Sequence, residues 1–124
     1  MSKNIFVVGL DEFNLVKLES LTLTADYKFH PLLRYEEIRG VESYTFQELL
    51  DKAERKLQAF EDSVDAIVGY FDFPISDMVP MLCRERGLTS ASLNSVVKCE
   101  HKYWSRLEQQ RSVPESIPHF NLFD

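Results

Sequence analysis

Two short, uninterrupted apolar runs, at residues 5–10 and 66–71, constrain the fold most strongly. Both are rich in β-branched and aromatic residues, and neither alternates with polar residues, which is typical of strands covered on both faces. Strands of this kind occur almost only in parallel sheets flanked by helices. We therefore predict buried strands at residues 4–10 and 64–71, the first of them central.

The segments between these runs carry helix signals. Asp11 can cap a first helix that bears the leucines of residues 15–21. Thr45 and Glu48 have the spacing of a capping box in front of a long apolar face. A third helix follows the turn at residues 72–76 and ends at Gly87, and a last helix is predicted from residue 94 or 95 to residue 111.

Two weaker strands complete the pattern. Residues 27–33 favour a strand, and Pro31 places it at a sheet edge because proline cannot donate to a strand ladder. Residues 88–92 lie between two helices and predict a short fourth strand. The order of elements thus predicts an α/β, Rossmann-like three-layer domain with a mainly parallel four-stranded sheet.

Composition limits the classes of function. A chain of 124 residues has the length of one domain. Its net charge of −6, with acidic residues throughout, argues against a general nucleic-acid binder. No apolar run approaches the roughly 20 residues of a membrane span, and the N-terminus offers no secretory signal. We expect a cytoplasmic protein that binds neither nucleic acid nor membrane.

Ligands of open α/β sheets bind beyond the carboxyl ends of the strands. This rule selects Gly9, Asp11, Asp72 and Phe73 as candidate substrate contacts. Gly9 belongs to no glycine-rich dinucleotide fingerprint, and a tight strand-to-helix turn is the favoured explanation of this residue. Asp72 can contact a substrate or cap the next helix, and the spacing decides for neither.

Other reactive residues lack the partners that chemistry requires. His30, His101 and His119 lie far apart without acids or thiols at metal-ligand spacing. Cys83 and Cys99 belong to no patterned motif. We predict no metal site and no catalytic residue. Lys98, Lys102 and Arg106 recur at every fourth position and would form a basic column on a helix. Because acidic residues lie nearby, a solvated helix face is the favoured interpretation of this column.

The last quarter of the chain carries a more specific motif. Residues 99–110 read CEHKYWSRLEQQ, and Val-Pro and Ile-Pro pairs follow at residues 113–114 and 117–118. This segment resembles the ATP-grasp ligases, particularly the biotin-carboxylase-like members. In that family an N-terminal α/β domain precedes the nucleotide-binding domain. The resemblance implies such a domain at residues 1–111 and a linker at residues 112–124 toward a missing ATP-grasp domain, so that the chain is expected to be part of a longer protein.

The same resemblance implies roles for two lysines. Lys102 matches the helix lysine of the family that reaches ATP, and Lys98, four residues earlier, is the second candidate on the ATP side. The chain departs from the family at His101, where Asp commonly precedes that lysine. It also lacks the glycine that usually stands before Val113.

A complete ligase of this family uses MgATP to activate a carboxylate as an acyl phosphate, which an amine then attacks. The resemblance therefore implies ATP and magnesium as cofactors of the full-length protein, a small carboxylate and an amine as substrates, and no activity of this chain alone. Self-association into a homodimer is left open. The alternatives are a phosphorylation receiver, because Asp11 and Asp72 imitate its acidic pocket, and a standalone binding module.

Overall fold

The computed structural model describes residues 2–39 and 44–123. The chain forms two compact units, Met1–Ser90 and Ala91–Asp124. None of the helices in the described ranges is long and apolar enough to cross a bilayer.

The first unit alternates strands and helices. Its elements are β1 (Lys3–Leu10), α1 (Glu12–Ser20), β2 (Tyr27–Arg34), α2 (Tyr35–Arg39), α3 (Phe46–Gln58), β3 (Ala66–Gly69) and α4 (Ile75–Glu85). The second unit contains α5 (Leu93–Glu100) and α6 (Lys102–Ser112). Short 3₁₀ turns lie at Thr22–Thr24 and Pro114–Ser116.

The three strands form one parallel sheet in the order β2-β1-β3. The α/β class, the central position of β1 and the edge position of β2 are confirmed. In β1, residues 6–10 are all buried, which accounts for the uninterrupted apolar run.

The predicted fourth strand at residues 88–92 is wrong, because the described sheet has three strands. The backbone of Leu88 is used elsewhere: its N–H donates to the carbonyl of Cys83 at 2.9 Å and closes the end of α4. The Leu88 side chain packs against the core beside α4. An apolar residue just after a helix can therefore complete that helix instead of starting a strand.

The core lies between the sheet and helices α3 and α4. Thr45 and Glu48 form the predicted capping box, which fixes the start of α3. The helix then turns one face inward, and its buried residues are Leu49, Leu50, Ala53 and Leu57. From α4 the buried apolar side chains include Ile75, Met78 and Leu82. The α3 face predicted from sequence is thus confirmed.

A buried asparagine ties the amino ends of the strands together. Asn4 is almost fully buried, and its Oδ1 lies 2.9 Å from Nε2 of His30 on β2. Its Nδ2 donates to the carbonyl of Ser63 and to Asp62, just before β3. The amide oxygen is therefore the acceptor for His30. Because these hydrogen bonds satisfy its side-chain amide, Asn4 is a structural residue at the amino edge of the sheet.

Candidate functional site

The carboxyl ends of β1 and β3 are joined by one tyrosine hydroxyl. The Oη of Tyr70 lies 3.2 Å from the carbonyl oxygen of Gly9 and 3.0 Å from Oδ2 of Asp11, and either can accept its proton. The same oxygen accepts weaker hydrogen bonds from Asp11 N and from Asn14 Nδ2, at 3.4 and 3.3 Å. Burial raises the pKa of Tyr70, so the hydroxyl stays protonated at neutral pH. Tyr70 therefore fixes the turn between β1 and α1.

Asp11 performs the capping role predicted for it. Its Oδ1 accepts the backbone N–H of Asn14 at 2.8 Å, and its Oδ2 accepts the side-chain amide of Asn14 at 2.7 Å. Hydrogen bonds from the backbone and side chain of Asn14 hold the pKa of this carboxyl below its usual value. Asp11 thus places a negative charge at the N-terminus of α1, where it interacts favourably with the helix dipole.

Gly9 is required by the backbone and by the packing. Its φ is +77°, and an added Cβ would lie 2.5 Å from Cδ1 of Ile75 on α4. Gly9 contributes its carbonyl group to the contact with Tyr70. The tight-turn interpretation therefore describes this residue in the structure.

Asp72 does not cap α4 with its side chain. The cap position is Pro74, and the backbone carbonyl of Asp72 accepts the N–H groups of Ile75 and Ser76. The Asp72 carboxylate instead lies 3.2 Å from a guanidinium nitrogen of Arg39 at the end of α2. This ion pair connects the loop after β3 to the segment after β2.

Aromatic residues flank Asp72 in the sequence, and their rings contact rings of α2 and α3. Phe73 remains 60% exposed while its ring stacks on Phe46 of α3, with centroids 5.7 Å apart and planes 14° apart. The ring centroid of Phe71 lies 5.0 Å from that of Tyr35 and 4.5 Å from that of Tyr70. The loop of residues 70–73 therefore presents partly exposed rings and an acid, Asp72, that is paired with Arg39 of α2.

A small cavity of about 160 Å³ lies beside the β1–α1 turn. Asp11, Glu12, Arg34 and Glu36 contribute its charged walls, and Leu10, Leu15 and Pro31 contribute its apolar walls. It has the size of a few water molecules. The predicted contacts Gly9 and Asp11 are thus brought together by Tyr70, while Asp72 and Phe73 belong to the neighbouring loop.

The predicted basic column does not exist as one helix face. The expectation of one continuous helix to residue 111 is wrong, because the backbone leaves helical geometry at His101, with φ −74° and ψ 107°. Lys98 belongs to α5 and pairs with Glu108 at 2.8 Å, and Arg111 pairs with the same carboxylate at 3.2 Å. Lys102 begins α6.

The start of α6 is capped by an imidazole. His101 Nδ1 accepts the backbone N–H of Trp104 at 3.4 Å, and the two rings lie 4.6 Å apart. Lys102 is exposed at the first helical position. Within residues 2–39 and 44–123 no carboxylate lies within 4 Å of its amine, whereas Lys98 is paired. In the same ranges no group of three His, Cys, Asp or Glu side chains has the geometry of a metal site.

Sequence reasoning missed Tyr70 and Arg39. Both act across long stretches of chain: Tyr70 contacts Asp11 59 residues away, and Arg39 contacts Asp72 33 residues away. The one signal in the sequence was the position of each residue at or after the carboxyl end of a predicted strand. That rule identifies the region but not which side chains in it meet.

No known protein family matches this chain, and comparison with curated proteins and with solved structures finds no significant match either.

Proposed function

We propose that this chain is the N-terminal α/β domain of an ATP-grasp ligase of the biotin-carboxylase-like group. On this proposal the first unit is a Rossmann-like domain that forms one wall of the substrate cleft. A further domain supplies the remaining ATP site and the magnesium ligands. The reaction is activation of a small carboxylate by MgATP followed by attack of an amine, in the cytoplasm.

The observation that supports this proposal best is the start of α6. In the family that the segment resembles, a polar residue, commonly Asp, precedes the helix lysine. Here His101 stands in the place of that Asp, before Lys102. Because His101 accepts a backbone N–H at the helix start, it performs the capping that an aspartate performs there. The departure therefore preserves the local structure that presents Lys102.

The charges around the two lysines assign them different roles within the proposal. Lys102 has no ion-pair partner in the described ranges and can neutralise phosphate charge, whereas Lys98 is held by Glu108. We therefore assign the ATP contact chiefly to Lys102. On the first unit, Gly9 and Asp11 shape the wall, and Asp72 and Phe73 lie on the loop that would face a substrate.

Calorimetric titration of MgATP onto the protein expressed from its complete native reading frame tests the proposal. We expect Lys102→Ala to weaken ATP binding at least about tenfold, a change of about 1.4 kcal/mol. Lys98→Ala should weaken it less, and Lys28→Ala, an exposed lysine on β2, should leave it unchanged.

Two results would overturn the proposal. One is a native reading frame that stops at residue 124, because the chain would then lack the second half of the ATP site. The other is a longer protein whose affinity for MgATP is the same with and without Lys102.

The receiver alternative has less support. A receiver pocket needs its acids directed at a shared cation, but Asp11 is bound to Asn14 and Asp72 is paired with Arg39. It also needs a fifth strand ending in lysine, and the described sheet contains three strands.

A further inference from the structure

We propose that Arg39 and the aromatic loop of residues 71–73 bind the carboxylate substrate, and that this substrate is an acid with a flat, aromatic body. The assignment of this acid as the substrate rests on the proposed ligase function. The binding site itself consists of residues of the first unit alone.

The location is that of a ligand site in an open α/β sheet. The loop follows β3, whose carboxyl end lies beside the end of central strand β1. Arg39 ends α2, which directly follows β2. A cation and a set of rings therefore meet where three parallel strands end.

The ion pair at this place is suited to exchange. The side chain of Arg39 is 48% exposed and that of Asp72 is 82% exposed, and a nitrogen–oxygen distance of 3.2 Å joins them. Exposed pairs of this kind contribute little to stability, because water and salt screen them. A ligand carboxylate that accepts two parallel N–H groups of the guanidinium makes a stronger pair. Asp72 thus holds Arg39 in place until an acid displaces it.

Glu37, a second carboxylate on α2, is committed to other partners. Glu37, on the same helix as Arg39, accepts from Lys52 at 2.7 Å and from Lys56 at 3.3 Å. Burial acts to raise the pKa of Glu37, but hydrogen bonds from Lys52 and the Arg34 N–H, with the charge of Lys56, lower it to about 2. In the described ranges, Asp72 is the carboxylate that lies within 4 Å of Arg39.

The rings define the rest of the ligand. Phe46 supports one side of the Phe73 ring in a nearly parallel stack, and more than half of Phe73 remains exposed. Phe71 is likewise held by Tyr35. Flat apolar groups gain both buried area and stacking on such a surface. An aromatic acid can place its ring on Phe73, next to Asp72, while its carboxylate binds Arg39.

Titration of the 124-residue chain with phenylacetate, followed by amide and arginine side-chain NMR signals, tests this site. We expect saturable shifts at Arg39 and at residues 71–73, with an affinity in the millimolar range that corresponds to about 4 kcal/mol. Phenylacetamide has the same ring without the charge and should bind at least about tenfold more weakly.

Two variants with opposite expected effects separate this exchange from a general loss of structure. Arg39→Gln should weaken phenylacetate binding about tenfold or more, whereas Asp72→Asn should strengthen it several-fold because the competing carboxylate is removed. Phe73→Ala should weaken the binding of both phenylacetate and phenylacetamide. Unchanged amide shifts elsewhere would show that each variant is folded.

Three outcomes would overturn the inference: no saturable shifts, equal binding of the acid and the amide, or weaker binding by Asp72→Asn. None of them bears on Lys102, whose role is tested by ATP titration. Conversely, phenylacetate binding that depends on Arg39 would establish the acid site even if the protein bound no ATP.

Discussion

Tyr70 shows how one side chain can determine the geometry of a strand-end turn. Its hydroxyl reaches the carbonyl of Gly9 and the carboxylate of Asp11, so that the last residue before α1 is held from the neighbouring strand. A phenolic hydroxyl can both donate and accept, which allows it to contact four polar atoms here. The β1–α1 turn is therefore fixed by a residue that directly follows the neighbouring strand β3.

Two glycines with positive φ separate the effect of backbone conformation from that of packing. Gly9→Ala should lower the free energy of unfolding by roughly 2–4 kcal/mol, because the left-handed backbone is unfavourable for alanine and the new methyl meets Ile75. Gly87→Ala keeps a similar φ of +64° but meets no atom within 4 Å, and should cost about 1–2 kcal/mol.

Urea unfolding of both variants and the wild type measures this difference. Equal losses for the two alanines would show that Ile75 moves aside without cost, and would contradict the packing part of the argument. Ile75→Val with Gly9→Ala provides the control, because the shortened side chain should recover part of the loss.

For single residues, short-range sequence patterns predict the roles of side chains well, whereas contacts between residues far apart in the sequence are not predicted. The capping roles of Asp11 and Thr45 depend on atoms three residues away, and both were foreseen. Arg39 and Tyr70 were missed because no short-range pattern marks their partners. For Asp72 the sequence left two roles open, and the structure assigns its side chain an ion pair that neither role included.

The division between α5 and α6 is the main difference at the level of elements. Neither glycine nor proline lies between residues 88 and 113, so composition alone favours one long helix. The backbone nevertheless turns at His101, which ends one helix and caps the next. A histidine is a weak signal for either event, and this explains why the break was not predicted.

Replacement of this cap should strengthen α6. His101→Asp introduces a preferred N-cap whose charge suits the helix N-terminus, and we expect a gain of about 0.5–1 kcal/mol in local stability. Amide exchange of α6 followed by NMR should slow about two- to fivefold. His119→Asp makes the same charge change outside any helix and should leave exchange unaltered. Faster exchange in His101→Asp would contradict the capping role.

The two compact units differ in how much apolar side-chain surface they bury. The buried apolar side chains of the described residues all belong to the first unit. Within residues 91–123 every side chain is at least partly exposed. Burial of apolar surface is the main source of stability, so the second unit has a much smaller share of it. The two units should therefore differ in local stability.

Hydrogen exchange measures this difference directly. We expect amides of β1 and α4 to exchange at least about a hundredfold more slowly than those of α5 and α6, because the latter open without disrupting a core. Exchange measured by mass spectrometry on the intact chain resolves these segments. Equal protection of α4 and α6 would show that the second unit has stabilising contacts comparable to the core.

At the scale of the whole molecule, the sequence predicts the α/β class, the central position of β1 and the edge position of β2, but it predicts one strand too many. The strand at residues 3–10 is apparent because residues 6–10 are buried on both faces. The strand predicted as buried at residues 64–71 spans only residues 66–69 and lies at a sheet edge, where Ile67 is buried but Val68 is 42% exposed. Residues 88–92 resemble a strand only in composition, and the closure of α4 by Leu88 depends on a hydrogen bond that composition does not reveal. The ligase function remains a proposal supported by one motif and by the local structure around it.

The central position of the first strand affects the order of events during synthesis. The N–H of Asn4 on β1 binds a carboxylate 61 residues later, at Asp65, so one edge of β1 stays uncovered until that part of the chain is made. At a synthesis rate of about 5–20 residues per second, this interval is roughly 3–12 seconds. During that time the most apolar strand can pair only with β2 or with another molecule. The nascent chain is therefore most exposed to aggregation before β3 leaves the ribosome.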